Sequence, residues 1–223
     1  MSAIRAVISD FGGVLTAPLI EAFTAITEST GVSLEALGAA MMALAAHGHA
    51  HPLHELERGR LSEAEFLELL GTELSEQLGR TAELHGFGEA YFERLEPNQT
   101  MLDYMRALRD RGYRLAILTN NVREWEPLWR PKLPIDELFD VVVDSGFVGM
   151  RKPDPEIFEL TLTRLGLPAE ECLFVDDTEA NCAAAHALGL TAVHFQTSEQ
   201  AIAEIEAVLG GADVAPGADP AQG

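Results

Sequence analysis

Five short apolar runs that do not alternate constrain the fold of this chain more than any other feature. They lie at Arg5–Asp10, Arg114–Thr119, Phe139–Asp144, Cys172–Asp176 and Thr191–Phe195. A strand with one wet face alternates apolar and polar residues. Runs that are apolar throughout belong to a parallel sheet covered on both faces. Helical patterns separate them. Met101, Leu102, Met105 and Leu108 share a face that Gly112 closes; Ile157, Phe158, Leu160 and Leu165 precede Gly166; Ile202, Ile205, Val208 and Leu209 follow a Thr197/Gln200 capping box. Strand–helix alternation from residue 98 to 209 predicts right-handed βαβ units and an α/β, Rossmann-like doubly wound sheet.

The stretch 17–96 has a helical period and no convincing strand. Leu34, Leu37, Met41 and Leu44 mark one helix, and a Ser62/Glu65 capping box opens another through Phe66, Leu67, Leu69 and Leu70. The expected organisation is therefore a core of 1–16 and 97–209, a helical insert of 17–96, and a disordered tail of 210–223 rich in Gly, Ala, Pro, Asp and Gln.

The 36 acidic residues against 15 basic give a formal charge of −21, which leaves no basic stripe for a nucleic-acid backbone. Met1–Asp10 is too short an apolar run for a signal peptide, and the alanine-rich stretch near Met41–Ala46 is too short to cross a membrane. Cys172 and Cys182 show no metal-type spacing and read as two free thiols. The expectation is a cytoplasmic protein with no nucleic-acid or membrane partner; its oligomeric state is open.

In an open parallel sheet, ligands bind beyond the carboxyl ends of the strands. Here four runs end in polar groups: Asp10, Thr119-Asn120, Asp144-Ser145 and Asp176-Asp177. Carboxylates from the first and fourth runs, meeting at one edge, repel unless a cation lies between them. Mg²⁺ suits such a site, since it takes oxygen ligands and keeps positions for phosphate oxygens. Thr119 and Asn120 offer neutral hydrogen bonds, and Lys152 a compact positive charge ahead of a helix that Pro155 starts.

Asp10-Phe-Gly-Gly-Val-Leu15, Leu118-Thr-Asn120, Arg151-Lys-Pro-Asp-Pro-Glu-Ile-Phe158 and Val175-Asp-Asp177, with Asn181 after it, resemble the four ordered motifs of the haloacid dehalogenase-like hydrolases. The insert resembles that family's helical C1 cap. Glu57-Arg-Gly-Arg-Leu-Ser62 is similar to the members near the phosphatase domain of soluble epoxide hydrolase and the bacterial glucose-1-phosphate phosphatases. The resemblance implies a Mg²⁺-dependent phosphatase acting on a small phosphorylated metabolite such as a sugar phosphate. Asp10 would be the nucleophile that forms an aspartyl-phosphate, and Lys152 would offset developing charge. Asp10, the Gly12 carbonyl, Asp176 and Asp177 would hold the metal. Phe11 and Gly12 amides, Thr119, Asn120 and Lys152 would hold the phosphoryl group, and Asn181 would orient an acid or simply face solvent.

One position departs from the pattern. Most phosphatases of this family carry a second Asp two residues after the nucleophile, and here Gly12 stands there. A good leaving group, a substitute donor or a non-catalytic protein each fit the departure. A 2-haloacid dehalogenase, which also lacks the second Asp, remains an alternative. His47, His49, His51 and His54 are candidate substitutes; they equally suit a solvated helix end or a metal. Trp125 and Trp129 suit either cleft lining or helix packing, and Glu57 and Arg58 either substrate contact or a surface ion pair.

Overall fold

A computed structural model of the chain describes residues 3–17, 27, 30–46, 51–84, 86–93 and 95–210. Five strands form one parallel sheet: β1 (Ala6–Ser9), β2 (Arg114–Thr119), β3 (Val141–Asp144), β4 (Cys172–Asp176) and β5 (Thr191–His194). Their spatial order is β3-β2-β1-β4-β5, with β1 in the centre and the connections doubly wound. Ser9 pairs with Ile117 on one side and Val175 on the other, so the ends of β1, β2 and β4 lie side by side.

Both faces of the sheet are buried, which is why its strands read as unbroken apolar runs. Val7, Ile117 and Val175 face α5 (Gln99–Asp110) and α8 (Ser198–Gly210), while Ile8, Leu118 and Phe174 face α6 (Pro155–Leu165) and α7 (Glu179–Ala187). Single-turn helices lie at Glu126–Trp129, Ile135–Leu138 and Ser145–Val148. The expected third strand began at Phe139, but that residue closes the turn before β3, its N–H donating to the Ile135 carbonyl at 2.9 Å. Phe139 is apolar because it packs in the core, not because it pairs in the sheet.

The chain leaves the sheet at Thr16 and returns at Pro97, and these two residues form an antiparallel bridge. Between them stand α1 (Leu34–Ala46), α2 (Pro52–Glu57), α3 (Glu63–Leu78) and α4 (Phe87–Glu93). Leu37, Leu56, Phe66, Leu74 and Phe92 are buried in the cluster that continues down to the sheet. Both capping boxes form: Ser62 with Glu65 at the start of α3, and Thr197 with Gln200 at α8. Gly210 ends α8, and residues 211–223 of the expected disordered tail lie outside the described residues. Among the described residues, no helix is long and apolar enough to cross a membrane.

Candidate active site

Because β1 and β4 are neighbours, Asp10 and Asp176-Asp177 emerge together at the carboxyl edge of the sheet. One oxygen from each of the three carboxylates lies within 4.8 Å of the others. Lys152, only 1% exposed, reaches the same point from the loop before α6. Its Nζ lies 2.8 Å from Asp10 Oδ1 and 2.6 Å from Asp176 Oδ2. Asp10 and Asp176 are buried against one ammonium and Asp177 is exposed beside them, so the set keeps an excess of negative charge. Burial, countered in part by Lys152 and reinforced by Asp176, pushes Asp10 up to about 7. Burial and Asp176 raise Asp177 as well. Burial works against the Lys152 charge, yet Asp10 and Asp176 together hold its pKa above the ordinary lysine value.

A divalent cation fits this set on chemical grounds. The donors are hard carboxylate oxygens, and two positive charges would balance the excess. The backbone leaves room for it. Gly13 adopts φ 80°, and a Cβ there would stand 2.4 Å from Asp177 Oδ2. Only glycine allows the turn after β1 to pass so close to that carboxylate.

The surrounding hydrogen bonds revise several expected roles. Of the two readings of Asn181, the solvated one falls away: it is buried, and its Nδ2 donates to Asp176 Oδ1 at 2.9 Å, as a residue that orients an acid would. The Phe11 N–H donates to Asp10 Oδ1 at 2.7 Å. It therefore orients the Asp10 carboxylate instead of standing open to a ligand, and the Phe11 ring packs on Trp129. The Asn120 carboxamide clasps the Lys152 backbone, donating to its carbonyl at 3.0 Å and accepting from its N–H at 2.8 Å. That side chain thus positions the lysine loop, while Thr119 and Asn120 both line the cleft with Gly12. Asp144 and Ser145 do not join the site, because β3 is an edge strand two positions from β1. Ser145 Oγ instead accepts from the Asn121 N–H at 2.9 Å and braces the loop after β2.

Above the acids lies a cleft of about 590 Å³ between the sheet edge and the inserted helices. Glu57 is neither solvated nor free for a ligand: its Oε2 accepts from Arg151 Nε at 2.6 Å, and both line the cleft. Arg58 crosses the same junction to Asp154 at 2.7 Å. Trp125 lines the cleft and donates to Glu63 Oε1 at 2.8 Å, whereas Trp129 is core. His51 and His54 stack on each other at 4.4 Å, and α2 lines the cleft with Leu53 and Glu57 instead. The expected substitution by these two histidines is not supported by their placement; His47 and His49 lie outside the described residues. Arg151, Tyr91 and Gly13 are site residues that sequence reasoning missed. Arg151 adjoins Lys152 in its motif and Gly13 follows Gly12, so both had a local signal. Tyr91 had none, since only the packing of α4 brings it to the cleft.

An acidic cluster and a buried lysine at the carboxyl edge of a doubly wound sheet, under an inserted helical layer, define a class of hydrolase. A model of the haloacid dehalogenase-like hydrolases matches residues 4–189, and the chain belongs to that family. Acyl-CoA dehydrogenase family member 10 of Mus musculus is 33% identical over 218 residues, 92% of this chain and 19% of that protein. The chain thus spans about a fifth of that relative's length. Sesquiterpene phosphatase astK of Aspergillus oryzae is 28% identical over 219 residues, 92% of this chain and 97% of that one. Among solved structures, a HAD-like family hydrolase from Porphyromonas gingivalis matches with a TM-score of 0.66 at 29% identity, covering 93% of this chain and 98% of the other.

Proposed function

We propose that the chain is a Mg²⁺-dependent phosphatase that hydrolyses a small-molecule phosphomonoester through an aspartyl-phosphate at Asp10. The observation that carries this reading is the convergence of Asp10, Asp176 and Asp177 on one point beside the buried ammonium of Lys152. Residues 1–16 and 97–209 act as the catalytic core, and 17–96 as a cap that closes the cleft against water.

Asp10, Asp176, Asp177 and the Gly12 carbonyl would hold the cation, which supplies charge neutralisation for an incoming phosphate dianion. Thr119, the Gly12 amide and Lys152 bind the phosphoryl oxygens. The Phe11 N–H and Lys152 hold Oδ1 of Asp10, which sets the plane of the carboxylate for in-line attack on phosphorus. The P–O bond to the leaving group breaks as the bond to Asp10 forms, and Lys152 offsets the charge that develops on the equatorial oxygens. Water then attacks the aspartyl-phosphate, releasing phosphate and restoring the carboxylate. Asn181 and Asn120 hold Asp176 and the lysine loop in register throughout.

A panel of phosphate monoesters with Mg²⁺, with Asp10→Asn and EDTA as controls, tests the reading. Hydrolysis that both controls abolish is the expected result. Absence of Asp10-dependent hydrolysis across the panel, or Asp10-dependent cleavage of 2-haloacids that survives EDTA, would overturn it.

A further inference from the structure

We infer that the cleft takes a phosphate whose body is an unbroken hydrocarbon chain, not a sugar; this rests on the phosphatase reading for the phosphoryl end. The floor and walls of the cleft differ in character. Asp10, Thr119, Lys152 and Asp177 make a charged floor. The walls that rise from it are Leu37 and Met41 of α1, Leu53 of α2, Phe66 and Leu70 of α3, and Phe92 of α4. Four separate helices thus turn apolar side chains to one space.

Among the described residues, the polar side chains that these helices bring to the cleft are Glu57 and Tyr91. The Glu57 carboxylate is already engaged by Arg151 at 2.6 Å. A sugar would place several hydroxyls against these walls, and each one left without a partner weakens binding by about five- to a hundredfold. A methylene in the same place strengthens binding by about fourfold. A space of about 590 Å³ is far larger than a phosphate group needs, so the walls enclose the body of the ligand as well.

Gly38 keeps that space open. It lies within α1, lines the cleft, and a Cβ there would meet nothing within 4 Å. Its backbone is not in the left-handed region, so neither conformation nor crowding requires glycine. A helix interior favours almost any other residue. The effect of glycine at this position is width in the apolar wall.

Calorimetric titration with n-alkylphosphonates from methyl to dodecyl, below their micellar concentrations and with Mg²⁺ present, tests the inference independently of turnover. Affinity is expected to rise about fourfold per methylene and then to level off. The non-hydrolysable phosphonate analogue of glucose 1-phosphate is expected to bind no more tightly than butylphosphonate. A flat or falling chain-length series, or that sugar phosphonate binding more tightly than butylphosphonate, would overturn the inference. Gly38→Leu is expected to move the plateau to shorter chains, and an unmoved plateau with a folded variant counts against this placement of the chain. Asp10-dependent hydrolysis with no chain-length gradient would sink the hydrocarbon inference alone. A clear gradient with no hydrolysis of any phosphate would support the apolar site and sink the phosphatase reading instead.

Discussion

A Cβ atom on Gly13 would fall 2.4 Å from Oδ2 of Asp177, so the backbone turn after β1 and the acid that follows β4 occupy contiguous space with no side chain between them. Gly13→Ala must push that carboxylate away and also adopt φ 80°. For the Mg²⁺-dependent reaction proposed above, the metal concentration needed is expected to rise about 10–100-fold, as for displaced ligand-supporting groups. Left-handed strain adds a stability loss of about 1–2 kcal/mol. Mg²⁺ titration of turnover and thermal melts measure the two effects separately.

Glu57 and Arg151 join the inserted helices to the lysine loop through a pair that is largely buried on both sides. Burial outweighs Arg151 in setting the Glu57 carboxyl, whose pKa is raised, so the intact pair adds little net stability. Removing one partner is a different matter, because it strands the other charge. Glu57→Ala is expected to cost about 3 kcal/mol, and the double variant Glu57→Ala/Arg151→Ala to recover part of it. Arg60→Ala, at a 60% exposed side chain, is expected to stay within about 0.5 kcal/mol. Urea denaturation of the four proteins checks the ranking.

Asp144 carries a pH-dependent cost. Burial, eased by the Gly146 N–H, pushes its carboxyl from 3.8 up to about 6, and its Oδ2 is buried with no hydrogen-bond partner. With a folded pKa above the unfolded one, stability is fullest below pH 3.8 and is lost as pH rises through about 6. That gap corresponds to about 3 kcal/mol, of which an unpartnered amide in an asparagine would return about 1–2 kcal/mol to the debit side. Asp144→Asn is therefore expected to stabilise the protein by about 1–2 kcal/mol at pH 8, with the gain fading as pH falls from 6 to 4. A flat difference across that window would show that Asp144 is not the group responsible.

Gly12 offers no proton to a departing oxygen, and general acid help is typically worth about 10²–10⁴-fold. Turnover should therefore depend steeply on the leaving group, with p-nitrophenyl phosphate cleaved at least about 10²-fold faster than phenyl phosphate. Gly12→Asp is expected to flatten the series. If kcat/KM across substituted phenyl phosphates is already flat in the unaltered protein, another cleft residue supplies the proton.

The sheet was legible because its strands are apolar on both faces, and the helices at α3 and α8 because their capping residues act locally. Residues at strand ends were harder to sort. Asp10 and Asp144 look alike in sequence, each closing an apolar run. They part only because β1 is central and β3 is at the edge, and strand order is a long-range property. Asn120 and Phe11 were read as ligand donors from their place in motifs, yet both spend hydrogen bonds on their neighbours, Lys152 and Asp10. Glu57 reads in sequence as a substrate contact or a surface ion pair, and only the fold supplies its partner, Arg151, 94 residues away, and buries the pair beside the cleft.

Local patterns by themselves determined the parallel sheet, the inserted helices and the four segments that carry the acids and the lysine, because periodicity, capping and turn residues act over a few positions. Tertiary structure alone decided which of those acids meet, which donors remain for a ligand, and that four helices of the insert line the cleft with hydrocarbon. Those outcomes depend on contacts between residues tens of positions apart, whose energies exist only once the chain has folded.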